Sequence, residues 1–96
     1  MYYILNGKKA VFCKDLLQWA EEIEKCDKRI AHDIIGGVRI STVFLGLNHN
    51  YGKGKPLLFE TMVFGGEYDG DMERYSTWEE AEAGHRKMVK KVKLKN

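Results

Sequence analysis

Residues 39–64, RISTVFLGLNHNYGKGKPLLFETMVF, read as two apolar strands around a polar, glycine-rich loop, Asn48 to Lys55. Close behind them YSTWEEAEAGH reads as a capped amphipathic helix. Strands rich in Val, Phe and Leu and a helix with one apolar stripe must bury those surfaces on each other. This stretch therefore predicts a compact α+β domain carrying one elaborated loop.

The flanking sequence extends the pattern. Tyr2–Leu5 and Lys8–Phe12 surround Asn6-Gly7, the favoured type I′ hairpin dipeptide. Asp15 with Gln18 has capping-box spacing and predicts a helix from about Asp15 to Cys26, with Leu16, Trp19, Ala20 and Ile23 on its apolar side. Strands follow at Arg29–Ile35 and Val38–Leu47, joined by Gly36-Gly37. Pro56 cannot donate to a ladder and belongs at a strand start, so Leu57–Phe64 is the next strand and Met72–Tyr75 a short edge strand. Ser76 with Glu79 is a second capping box, S-x-x-E. Trp78, Ala81, His85, Met88, Val89 and Val92 form the apolar stripe of the last helix. Gly84 inside that helix costs about 1 kcal/mol against alanine, which close packing against a neighbour would offset.

The predicted order is ββ-α-ββββ-α, an antiparallel meander sheet with two helices packed on one face. The other face then has no cover within the chain. Tyr3, Phe44, Met62 and Phe64 are its expected residues, and a homo-oligomer, a dimer first of all, or a partner would hide them. A chain of 96 residues is one domain, 1–96, with a basic, frayed tail from about 90 to 96. Its 44% hydrophobic content supports a core without staples, and a formal charge of +2 does not by itself imply a polyanionic partner. Cys13 and Cys26 form no CxxC pair and read as reduced structural thiols. No run approaches the roughly 18 apolar residues of a membrane span, and MYYILNGKK is too short for a signal peptide, so the expected location is cytoplasmic.

Glu60 is the most anomalous residue, a carboxylate in a strand otherwise made of Leu57, Leu58, Met62, Val63 and Phe64. If Leu47 pairs with Leu57, it lies opposite Phe44. It either makes a structural ion pair, for instance with Arg39 or Arg29, or serves a ligand. Asn48, His49, Asn50, Tyr51 and Lys53 supply the polar groups of the loop, and its glycines free backbone amides for an anion. GKGK is not a phosphate-loop signature, so a solvated hairpin loop is the plainer reading. Glu60 with His49 could act as acid and base in a small hydrolase, but no catalytic cluster surrounds them. His85 reads as a core histidine. Scattered histidines predict no metal site and no cofactor is expected. The lysine-rich RKMVKKVKLKN complements the helix dipole, and without interleaved aromatics nucleic acid is not the favoured partner.

At STVFLGLNHN, PLLFETMVFGG and YSTWEEAEAGH the chain resembles a group of small proteins encoded by tailed bacteriophages and prophages. YILNGKKAVFCKDLLQWA is similar to the start of those proteins, so the likeness spans nearly the whole chain. The resemblance implies no activity and no catalytic residues. It implies a context, a phage-derived accessory protein in a host bacterial cytoplasm. The leading expectation is a non-enzymatic protein that binds a host component, blocking a host protein or evading host defence, through the loop (Asn48, His49, Asn50, Tyr51, Lys53), Glu60 and the uncovered sheet face. The alternative is a sponge for a small phosphorylated or nucleotide ligand, with Tyr51 or Phe44 stacking on a base.

Overall fold

The computed structural model describes residues 1–95. Strands β1 (Tyr2–Asn6) and β2 (Lys9–Cys13) precede helix α1 (Leu16–Lys25). Strands β3 (Arg29–Ile35), β4 (Val38–Phe44), β5 (Phe59–Phe64) and β6 (Met72–Tyr75) follow, and helix α2 (Trp78–Lys93) ends the fold. The class is α+β and the order ββ-α-ββββ-α, as expected. The six strands divide between two antiparallel sheets, a β1-β2 hairpin and a four-stranded meander in the order β3-β4-β5-β6.

Turn chemistry explains the strand ends. Gly7 has φ 63°, and no described non-glycine residue has positive φ. Asn6 pairs with Lys9, so the loop residues are Gly7 and Lys8. Positive φ at the first loop position alone is the sign pattern of a type II′ turn, not the type I′ turn expected from Asn-Gly. Gly36 and Gly37, at φ 54° and 82°, turn β3 into β4.

Helix α2 packs across the meander, while α1 packs on the hairpin. Under α2 the core has two halves. Val38, Ile40, Val63, Met88 and Val92 form one, and Phe44, Leu58, Phe59 and Ala81 the other. Strand parity sets this arrangement. Side chains two apart share a face, so Val38, Ile40, Thr42 and Phe44 all point at the helix. Phe44, expected on the uncovered face, is therefore 1% exposed, and Tyr3 packs against the same core half. The Trp19 indole fastens the hairpin to the meander. Its Nε1–H donates to Tyr3 O and Gly46 O, each at 3.0 Å. Gly46 has φ 76°, and a Cβ there would lie 2.7 Å from Ile23 Cδ1, so only glycine lets α1 approach.

The cap of α1 is Asp15, as expected. That of α2 is Thr77, one residue after the expected Ser76. Thr77 Oγ1 accepts from Glu80 N and Glu80 Oε1 accepts from Thr77 N, both at 3.1 Å. The frames S-x-x-E and T-x-x-E overlap in YSTWEEAE, and the ladder decides between them. Leu58 N donates to Tyr75 O at 2.9 Å, which keeps the chain extended up to the later cap. At its other end α2 runs to Lys93, with Lys91 Nζ 2.8 Å from Asp71 and Lys95 Nζ 3.9 Å from Glu67. Of the basic tail expected at 90–96, Asn96 lies outside the described residues. Among those residues no helix is long and apolar enough to cross a membrane.

Candidate functional site

In the 48–55 loop the two asparagines are the scaffold. Asn48 Oδ1 accepts from Asn50 N at 2.8 Å and Leu57 N at 3.0 Å. Asn50 Oδ1 accepts from Gly52 N at 3.0 Å, and its Nδ2 donates to Lys55 O at 2.9 Å and Lys53 O at 3.3 Å. These are Asx-type bonds that replace missing ladder partners. His49 Nδ1–H donates to Leu47 O at 3.0 Å and has no hydrogen bond to Glu60. Tyr51 is 90% exposed. Side-chain bonding thus ties Asn48, His49 and Asn50 to the loop itself, whereas Tyr51 and Lys53 extend from it.

Glu60 faces away from α2. The register is Phe44↔Phe59 and Val43↔Glu60, so Glu60 lies opposite Val43 rather than Phe44. Leu47 bridges to Tyr2 of the hairpin instead of pairing with Leu57, and this shifts the register by one. The partner of Glu60 is Arg74, directly across on β6, with Nε donating to Oε2 at 3.0 Å. Neither Arg39 nor Arg29 fills that role. The side chain of Glu60 is 15% exposed and that of Arg74 32%, so the pair stands at a half-dry surface.

Register assigns the whole outer face in cross-strand rows. Ile34, Arg39 and Phe64 form the first row, and His32, Ser41, Met62 and Met72 the second. Arg29, Val43, Glu60 and Arg74 form the third. Neither helix and neither hairpin strand packs on this face. Ile34 is 66% exposed, Met72 42% and Phe64 39%. The Arg39 guanidinium lies 4.2 Å from the Phe64 ring centroid, a stacked pair. The face carries Arg29, Arg39 and Arg74 against Glu60 alone.

On the opposite side of the sheet a polar chain runs beneath α2. His85 Nε2 donates to Asp33 Oδ2 at 2.7 Å, and His85 Nδ1 meets Thr42 Oγ1 at 2.7 Å. Thr42 Oγ1 shares a hydrogen bond with Thr61 Oγ1 at 2.5 Å. Beyond Thr61 stands Tyr75. Burial pushes its pKa up, Thr61 draws it partly back, and Glu73 adds to the rise. Tyr75 Oη nonetheless makes no hydrogen bond of good geometry. Asp-His-Thr is the order of an acyl-transfer triad. Here Thr42 and Thr61 have no exposure and His85 has 4%, so no reacting carbonyl can reach the hydroxyl. The chain is a satisfied polar core that pins α2 to the sheet.

Sequence reasoning placed His85 in the core but did not find its partners. A signal was present. Thr42 and Thr61 stand at core-facing positions, between Ile40 and Phe44 and between Phe59 and Val63, where a polar residue needs a partner. Arg39 and Arg74 were invisible as a surface until the pairing register was known. No group of His, Cys, Asp and Glu able to hold a metal occurs among the described residues. Comparison with protein families, with curated proteins and with solved structures returns no match to this chain.

Proposed function

We propose that this protein acts by binding, and that the outer face of its four-stranded sheet docks an acidic, partly apolar surface of another protein. The observation that carries this reading is the exposure of Ile34, Phe64 and Met72 on one continuous face beside Arg29, Arg39 and Arg74. Arginine, methionine and aromatic residues are the types enriched where proteins meet, and large exposed apolar patches mark such surfaces. Arg39 is already held on Phe64, and Arg74 on Glu60, so little side-chain freedom is lost on docking. Glu60 thus orients an arginine rather than moving a proton. Tyr51 and Lys53 extend from the loop at the Glu60 end of the sheet and serve as rim contacts.

A second copy of the chain is the rival occupant. A twofold contact would set the three arginines of one face against those of the other, with one glutamate each to compensate. Charge therefore favours a partner of opposite sign. The resemblance to small phage proteins supports a host bacterial protein of the cytoplasm as that partner.

The test is capture from bacterial lysate, identification of the bound protein, and measurement of its affinity with purified components. Arg39→Glu and Arg74→Glu are each expected to weaken binding at least about tenfold, or ~1.4 kcal/mol. Added salt should weaken the wild-type complex as well. Equal affinity of both variants for the purified partner would overturn the assignment of the face.

A further inference from the structure

We infer that the cleft between the β1–β2 hairpin and the start of α2 binds a small aromatic anion of the nucleoside monophosphate class. The cleft is distinct from the sheet face and does not depend on it. Its volume of about 550 Å³ lies in the range of small-molecule sites. Trp78, Leu58 and Pro56 give it an apolar floor, while Lys8, Lys9 and Glu79 supply charge.

The sequence builds this arrangement locally. Gly7 makes the type II′ turn, which sets Lys8 at the hairpin tip and Lys9 at the first ladder position. Thr77 caps α2, so Trp78 is its first helical residue. The Phe59 ring meets the indole edge-on, with centroids 6.3 Å apart and planes at 79°, which fixes its plane. The Lys8 ammonium lies 5.9 Å from the indole centroid. Neither Lys8 nor Lys9 has an ion-pair partner among the described residues. Trp78 Nε1 is buried with no hydrogen-bond acceptor among the described residues.

These groups demand two features in one ligand. The Trp78 indole accepts a planar aromatic ring by stacking once the Lys8 ammonium swings from above it to an anion. Two lysines without ion-pair partners on one wall of the cleft accept a compact anion, and phosphate is a group matched to that pair. Glu79 and Glu80, in the first turn of α2, disfavour negative charge on that side of the cleft, which favours one phosphate held by the lysines over several. A base bearing a single phosphate meets both demands.

The experiment is a titration of the full chain with AMP, GMP, CMP and UMP, followed by two-dimensional ¹H–¹⁵N NMR. Adenosine and inorganic phosphate serve as separate arms. The Trp19 indole N–H is held by two carbonyls and provides an internal reference. At least one monophosphate should shift the Trp78 indole signal and the Lys8 and Lys9 amides, leave Trp19 in place, and saturate below about 1 mM. Adenosine and phosphate alone should each bind at least about tenfold more weakly. A Lys8→Ala, Lys9→Ala double variant should keep its spectrum and lose at least tenfold in affinity, while Glu79→Gln should bind more tightly. Absence of saturable shifts at the cleft with all four monophosphates would overturn the inference. So would equal binding of adenosine, equal binding of phosphate, or shifts confined to another surface.

Discussion

Gly84 stands in the middle of α2 because its Cα is where Tyr75 needs room. A Cβ built there would overlap Tyr75 Oη, Cζ and Cε1. Gly84→Ala therefore sets two effects against each other. Helix propensity alone would stabilise the protein by about 1 kcal/mol. Accommodating the methyl requires the ring to shift, and overpacking of that kind costs about 1–3 kcal/mol. If the ring leaves its site altogether, the loss approaches the roughly 3–5 kcal/mol of an aromatic truncated to alanine. Set against the propensity gain, these costs leave a net loss of about 0–2 kcal/mol if the ring only shifts and about 2–4 kcal/mol if it leaves; overlap with three Tyr75 atoms rules out the mildest case, so the expected loss is about 1–3 kcal/mol. For a domain near this size each kcal/mol corresponds to about 4–8 °C in Tm. Urea unfolding followed by circular dichroism measures it directly. The decisive control is a Tyr75→Ala background, where the same Gly84→Ala change should turn stabilising by about 1 kcal/mol. A Gly84→Ala protein as stable as wild type would refute the packing argument, as would an unchanged effect of Gly84→Ala when Tyr75 is alanine.

Three further expectations follow from the same geometry. Thr77→Ala should lower stability by about 1 kcal/mol through loss of the N-cap, whereas Ser76→Ala should be nearly neutral; matched denaturant midpoints distinguish them. Thr42→Val keeps the shape of the side chain but strands Thr61 Oγ1 and His85 Nδ1 in the core, so a loss of about 1–3 kcal/mol should appear in urea unfolding, and wild-type stability would mean the polar chain is not formed. Tyr75 titrates above its ordinary value of 10.0 in the folded protein, chiefly through burial. Its contribution is therefore fully present below pH 10.0 and is lost as pH rises through the higher folded value. Melting of wild type and Tyr75→Phe across alkaline pH should show a constant difference below pH 10.0 and a growing shift in favour of Tyr75→Phe as pH rises from there through the higher folded value.

Local chemistry was legible where a single segment carries all of it. The bounds of β3 and β6 follow from the turn residues that flank them, Gly36-Gly37 after β3 and the acidic, glycine-containing loop before β6, and Asp15 was identifiable as a cap because its partner amides are its own neighbours. The end of β4 was not legible. Gly46, at φ 76°, turns the chain toward the hairpin, and Leu47 takes Tyr2 as its partner. The apolar run to Leu47 looks identical whether its last residue serves one sheet or the other. That one choice moved Glu60 from opposite Phe44 to opposite Val43. Partners distant in sequence were hidden for the same reason. Periodicity tells which face a residue occupies, and Glu60, Asp33 and His85 each needed the register of a second element to find Arg74, Thr42 or each other.

The docking face can be tested by placing a photo-reactive benzophenone amino acid at position 34, 64 or 72, with position 83 on the exposed side of α2 as the control. Irradiation in bacterial lysate, followed by mass spectrometry of the cross-linked peptides, reads the contact residue by residue. The expected result is a cross-link from the three face positions to an Asp- or Glu-rich segment of one protein. It should be absent from position 83, and lost from the face when Arg39→Glu and Arg74→Glu are added. Cross-links from the face to other copies of this chain alone, or a partner caught only from position 83, would contradict the account.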